Sequence, residues 1–307
     1  MIAFAVAKSS YETAAFQLKE FGCITVSHQT VSNLVSSLSD EVQSKLANNA
    51  GVRQAFQEAK GDTEFTADGA FIHIRNEDET HCWMECKVAG FTKRERGRSA
   101  LPHEWDSREL PKPTVNMAMA TLDKIDEFTE RCKEFRCHLG VGGGVSVLGD
   151  GAHWIWNLSP KLFGNAAECL DIFHAAERIS GCGKVLFPDS DIQRKSWFED
   201  KRMLLLRKGF CGVNAELVQE YKSGLYDEEQ QSAMSSLQNY LFNHRHRLSY
   251  SERLFEGRAI GSGVVEGACK NLVGRRLKQT GACWRQRQAE KMTVLCAALY
   301  SNPIVST

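Results

Sequence analysis

The sequence holds no Cys-x-x-Cys pair, no internal repeat and no low-complexity tract, and its apolar runs fall short of the ~18–20 residues that a membrane-spanning helix needs. Prolines are few, 6 against 24 glycines, which excludes collagen-like and proline-rich linker architectures. The start, Met1 to Ser10, has one lysine and a short apolar stretch with no small-residue cleavage site, so it makes a poor signal peptide. No charge excess exists either, since 38 Lys and Arg balance 38 Asp and Glu. What is present is an ordinary globular composition, 42% hydrophobic and 25% charged over 307 residues, enough for one large domain or two modest ones. A soluble intracellular chain with no membrane partner is expected.

The 11 cysteines invite a zinc or disulfide reading. Their count is odd, and the one assemblable set, Cys82 and Cys86 with Cys132, Cys137 and His138, fails on spacing. Cys82 and Cys86 lie in a strand-like run, where residues four apart are about 13 Å apart. Reduced, mostly buried thiols are the expectation.

The balanced charge is unevenly placed. From His244 to Lys291 there are 11 cations against 4 anions, so the rest of the chain is net acidic. Such a segment suits a localised anionic partner or a solvated basic helix face.

Along the chain, residues 1–60 read as helical. Ala14, Ala15, Leu18 and Phe21 form one stripe closed by Gly22, and a second helix opens at Ser27 with Val31 and Leu34 facing inward. The outline fits a helix-turn-helix, and equally a plain αα-hairpin. Phe65 to Arg75 and Cys82 to Phe91 read as paired strands, Lys93 to Lys112 as a loop, and Thr114 to Cys137 as one helix. A buried strand ends at Asp150, and Cys169 to His174 reads as a further strand running into a helix from Ala175. Residues 190–245 look helical, with Tyr221, Leu225, Leu237, Tyr240 and Leu241 as core candidates. Strands flanked by helices, then a long helical stretch, predict an α/β core with a helical insertion.

Three carboxylates are placed as catalytic groups would be. Asp68 follows a strand-like run, Asp150 sits between glycines at a buried strand end, and Glu266 lies early in a helix that Ser262 could cap. Converging carboxylates repel unless cations lie between them, and two Mg2+ ions would relieve that while clamping the oxygens of a phosphodiester exchange. Each also has a plain alternative: a hairpin turn at Asp68-Gly69, a turn at Gly149-Asp150-Gly151, and an i,i+4 pair of Glu266 with Lys270.

Two long blocks add what spacing cannot. Val147-Leu-Gly-Asp-Gly-Ala-His-Trp-Ile-Trp-Asn-Leu with Leu170-Asp-Ile-Phe-His-Ala-Ala-Glu-Arg resembles the central part of bacterial insertion-sequence transposases of the ISKra type. So does the block from Ala259 to Trp284, and the earlier Ala67-Asp-Gly with Trp83-Met-Glu-Cys-Lys-Val-Ala-Gly also matches. Together these span about residues 61–300. The resemblance implies the Mutator-like superfamily: a ribonuclease H-like mixed sheet with a helical insertion, preceded by the small helix-turn-helix-like segment. The divisions would be 1–60, a core over 61–180, an insertion over 181–245 and a return to the core over 246–307.

The same resemblance implies a metal-binding triad of Asp68, Asp150 and Glu266, and an Asp-x-x-His signature at Asp171 and His174. In it, His174 would orient a phosphate or a neighbouring carboxylate from a strand-to-helix junction. It implies two Mg2+ ions, replaceable by Mn2+, and DNA partners at the element's ends and at the target. A homodimer or larger synaptic complex in the bacterial cytoplasm, associated with the nucleoid, is expected. Lys270, Arg275, Arg276 and Lys278 would grip phosphates, Lys270 foremost because it lies one turn beyond Glu266. Trp154 and Trp156, sharing a strand face, would stack on a base or pack in the core. Two features depart from relatives: a shorter amino-terminal region, implying a truncated end-recognition domain, and Gly267 where serine is expected. The expected activity is metal-dependent cleavage and strand transfer of DNA. The rivals are a nuclease that cuts without joining and a DNA-binding protein that no longer turns over.

Overall fold

The computed structural model describes residues 6, 7, 9–48 and 50–303, apart from the side chains of 44–48, 264–266 and 272. Three helices come first, α1 (Tyr11–Gly22), α2 (His28–Asn48) and α3 (Ala50–Glu58). A long antiparallel hairpin follows, β1 (Asp62–Arg75) with β2 (His81–Arg94), in unbroken register from Asp62 opposite Arg94 to Arg75 opposite His81. Its turn is Asn76 to Thr80, where the Asp78 carboxylate accepts from the Thr80 backbone and hydroxyl. Asp68 therefore sits mid-strand opposite Val88, and the alternative of a hairpin turn at Asp68-Gly69 is excluded.

Next come β3 (Val115–Thr121), α4 (Ile125–Leu139), β4 (Ser146–Gly149), α5 (His153–Phe163), β5 (Ala167–Leu170) and α6 (Ile172–Leu186). The sheet order is β3-β2-β1-β4-β5, with β4 and β5 parallel to β1. Two long helices intervene, α7 (Asp191–Lys222), bent at Gly209, and α8 (Glu228–Asn243). The chain then returns through α9 (Tyr250–Phe255), α10 (Gly263–Ala268), a π-helical turn (Cys269–Gly274), α11 (Arg275–Leu277), β6 (Trp284–Arg285) and α12 (Gln286–Tyr300). The result is a mixed α/β architecture, and α7 and α8 make residues 191–222 and 228–243 helical, as expected over 190–245. No helix among the described residues is long and apolar enough to cross a membrane.

The pleat divides two cores. Phe65, Ala67, Phe91 and Met117 face one side, packed with Phe128, Ile155 and Leu158 from α4 and α5. There Phe65 meets Phe91 and Phe163 edge-on at 4.9 and 5.2 Å, pairs worth about 0.5–1.5 kcal/mol each beyond burial. Ile72, Ile74, Val88 and Ala118 face the other side, packed with Ala14, Leu18, Val31 and Val35 from α1 and α2 and Met292, Leu295 and Cys296 from α12. The amino-terminal helices thus share a core with the sheet. Ser27 caps α2 by accepting from the Thr30 amide, as expected.

Several local expectations are corrected. Thr114 to Cys137 is a strand and a helix, because β3 is covered on both faces and its Met and Ala residues show no alternation. The strand expected over Cys169 to His174 is β5, but it ends earlier: pairing stops at Leu170 and Asp171 caps α6. In α1 the left-handed cap is Cys23 rather than Gly22, and Phe21 is exposed. In α2 the inward residue beside Val31 is Val35, with Leu34 half-buried. Tyr221 and Leu225 lie on the surface, whereas Leu237 and Leu241 are core. The cysteines are all free, and six of them are buried.

Candidate functional site

The parallel pairing of β1 with β4 sets Glu64 beside Ser146 and Thr66 beside Leu148. Extending that register by two residues brings Asp150, one residue past the end of β4, beside Asp68 on the same face. Their charges interact, and burial foremost, with Asp150 adding to it, pushes the Asp68 carboxyl above its ordinary value. The Gly69 amide, the Cys269 thiol and His174 pull the other way. One oxygen of Asp68 accepts from the Gly69 amide at 2.7 Å, and one oxygen of Asp150 from the Ala152 amide at 2.8 Å. Among the described residues no lysine or arginine pairs with either, although most buried carboxylates acquire such a partner.

The third carboxylate arrives on α10, which lies against β1 and β2. Glu266 is on this helix, three residues before Cys269, whose thiol donates to Asp68. Its side chain lies outside the described residues. Gly267 brings its backbone close to Tyr300, and a Cβ there would stand 3.3 Å from the tyrosine oxygen. The glycine therefore has a local reason: a serine would need Tyr300 to give by a few tenths of an ångström.

Asp171 explains how α10 is held. It is buried and caps α6, one oxygen accepting from the Phe173 and His174 amides at 2.6 and 3.4 Å. The other oxygen accepts from the Ser262 hydroxyl at 2.6 Å and from the Ser262 amide. A further backbone bond joins the Ile172 amide to the Ile260 carbonyl at 3.0 Å. One carboxylate thus ties the first turn of α6 to the residues entering the Glu266 helix. Ser262, expected to cap that helix, gives its hydroxyl to Asp171 instead.

His174 stands in the first turn of α6, at the strand-to-helix junction where it is expected. Its ring is half-exposed, 3.5 Å from Glu177, and near enough to Asp68 to lower that group's pKa. It is not a core histidine.

The basic segment is largely spent on the fold itself. Arg247 pairs with Glu168, Arg258 with Asp62, and Lys291 with Asp40, while buried Arg253 donates to the Ala259 carbonyl. Arg276, expected at DNA, is buried: it donates to the Val6 carbonyl at 2.6 Å and lies 5.2 and 4.5 Å from the rings of Tyr11 and Trp284. Lys270, Arg275 and Lys278 are exposed, without an ion pair among the described residues. Lys270 lies in the π-helical turn that opens at Cys269.

The tryptophan pair is corrected too. Trp154 and Trp156 lie on helix α5 and point to different sides. Trp156 is buried beside His244 with Arg247 stacked at 4.3 Å, and Trp154 is half-buried, edge-on to Phe128 at 5.9 Å. Trp156 is thus enclosed in the core, whereas Trp154 keeps part of its surface open.

Residues missed in the sequence are Cys269, Tyr240 and Arg178. Tyr240, from the insertion helix α8, packs so closely on Gly151 that a Cβ there would come within 2.7 Å of its hydroxyl. Burial, with Asp150 adding to it and Arg178 opposing it, pushes the Tyr240 phenol up to about 12. Arg178 lies 5.0 Å over the Tyr240 ring. No spacing rule links α8 to a loop ninety residues earlier; only the fold brings them together. Comparison with protein-family models and with curated proteins gives no match.

Proposed function

We propose that the chain is a DNA transposase of the DDE type, cutting at an element's end and joining the freed 3′-hydroxyl to target DNA. The observation that carries the proposal is the pairing of Asp68 and Asp150 on neighbouring parallel strands, with the Glu266 helix clipped alongside through Asp171. The sheet order β3-β2-β1-β4-β5, with a helical insertion before α10, suits the ribonuclease H-like core that the resemblance implies.

The donor set fits Mg2+. It offers hard carboxylate oxygens, and the Asp68 carboxyl, raised by burial foremost and by Asp150 besides, is a group whose ionised form a nearby divalent cation would favour. When bound, two such ions supply Lewis acidity at the attacking and leaving oxygens of an in-line displacement. Asp68 and Asp150 would hold them, with Glu266 as third ligand. The backbone amides of Gly69 and Ala152 fix one oxygen of each aspartate, so the carboxylates are oriented before any ion arrives. His174, half-exposed in the first turn of α6, would donate to a phosphate oxygen. Lys270, Arg275 and Lys278 would grip the backbone without reading sequence. Two element ends require two such sites, hence a dimer or larger complex.

The test is cleavage of labelled DNA carrying the element's end, with Mg2+ or Mn2+. Wild type should nick at the end and, given target DNA, join it, and Asp150→Asn should do neither. Nicking without joining would make the chain a nuclease. Binding without nicking would leave a DNA-binding protein only.

A further inference from the structure

Far from the carboxylates, three neighbouring strands converge a different donor set. The register of β1 with β2 sets His73 opposite Trp83, so His81, two residues before Trp83, shares the same face. The parallel register of β1 with β6 pairs Ile74 with Trp284, which brings Cys283 alongside His73 on that face. The His73 Nε2 and His81 Nδ1 atoms are 3.2 Å apart, and the Cys283 Sγ is 3.6 Å from the same His81 nitrogen. All three donor atoms lie within 4.8 Å of one another.

We propose that His73, His81 and Cys283 form a site for one zinc-class divalent ion. Tetrahedral zinc, with bonds of about 2.05 Å to nitrogen and 2.3 Å to sulfur, sets ligand edges of about 3.3 Å for N···N and about 3.6 Å for N···S. The two distances already match those edges. Two imidazoles and a thiolate are a borderline-to-soft set that favours Zn2+ or Co2+ over the oxygen-seeking Mg2+. The site is therefore chemically separate from the carboxylates, and His73 is five residues along β1 from Asp68, about 17 Å. The His73 ring is held by Trp83, stacked at 5.1 Å with an interplanar angle of 26°. The opposite faces of the strands bury Ile74 and Trp284 in the second core, so the backbones carrying the ligands are anchored. His81 and Cys283 are exposed, which leaves the fourth position open to water and the ion free to enter. Its effect would be to staple the β1–β2 hairpin to the strand that leads into α12.

The experiment is a Co2+ titration of the metal-free full chain under a phosphine reductant, without oxygen. A thiolate-to-cobalt charge-transfer band should grow to one equivalent, together with visible bands of tetrahedral intensity. Zn2+ should displace it and excess Mg2+ should not. Cys283→Ser should abolish the charge-transfer band, and His81→Ala should weaken binding by more than the roughly 10–100-fold that even outer-shell changes cost. Cys137→Ser, at an exposed thiol beside His138, should leave the titration unchanged. His73→Gln provides a second ligand variant, with far-UV circular dichroism checking that each variant is folded. No band, or a band that survives Cys283→Ser in a folded protein, would overturn the proposal.

Discussion

Replacing Asp171 should separate holding the site from performing its chemistry. In the structure this carboxylate touches neither Asp68 nor Asp150 but accepts four hydrogen bonds, two from the amides of α6 and two from Ser262. Asp171→Ala removes a helix cap, worth about 1 kcal/mol. It also strands two Ser262 donors in a buried place, at about 1–3 kcal/mol each. The gross loss is about 3–7 kcal/mol, and relaxation of Gly261 and Ser262 toward water should bring it to about 3–4 kcal/mol. Asp171→Asn keeps the capping oxygen but turns an amide NH2 toward the Ser262 donors, so it should cost about 1–3 kcal/mol. Ser262→Ala should cost about 1 kcal/mol, and the double change with Asp171→Ala should fall short of the sum by at least about 0.5 kcal/mol, because the two share one interaction. Urea unfolding followed by tryptophan fluorescence reads these values. A loss under about 1 kcal/mol for Asp171→Ala, or strict additivity with Ser262→Ala, would refute the clip.

Other expectations follow from the same contacts. Burial and Asp150 raise the Asp68 carboxyl, so its ionisation opposes folding: the penalty is absent below the unfolded-state value of 3.8, grows as pH rises through the raised folded-state value, and persists at neutral pH. Asp68→Asn should therefore raise the melting temperature of the metal-free protein at pH 7 and lose that advantage in acid, while cutting metal-dependent cleavage by about 10^3-fold or more; equal melting at pH 7 would contradict it. Arg276→Ala should destabilise by about 2–4 kcal/mol through lost stacking on Tyr11 and Trp284 and the lost bond to Val6, seen in thermal or urea unfolding. Lys270→Ala and Lys278→Ala should instead leave stability within about 0.5 kcal/mol and reduce the salt slope of DNA binding by about 1 each, measured by fluorescence anisotropy.

How much was legible in the sequence depended on how local each signal is. The β1–β2 hairpin is plain because buried Ile72 and Ile74 alternate with the less buried Phe71, His73 and Arg75. Alternation fails where both faces are covered, so β3 was read as helix. Charge counting could not tell buried, stacked Arg276 from exposed Arg275, because their difference is set by Tyr11 and Trp284, distant in the chain. Asp68 could be nominated from the strand-like run before it and Asp150 from the end of its strand, but their adjacency is a fact of sheet order. The His73, His81 and Cys283 cluster had no sequence signature at all, since its third member is more than two hundred residues from the second.

The central claim, that Asp68, Asp150 and Glu266 together hold divalent ions, is met most directly by counting bound Mn2+ with electron paramagnetic resonance in the presence of end DNA. Two ions per chain should bind to wild type, with weakened or lost binding in each of Asp68→Asn, Asp150→Asn and Glu266→Gln and full binding retained in Cys283→Ser. Mn2+ binding that is absent from wild type, or indifferent to all three carboxylate changes, would contradict it.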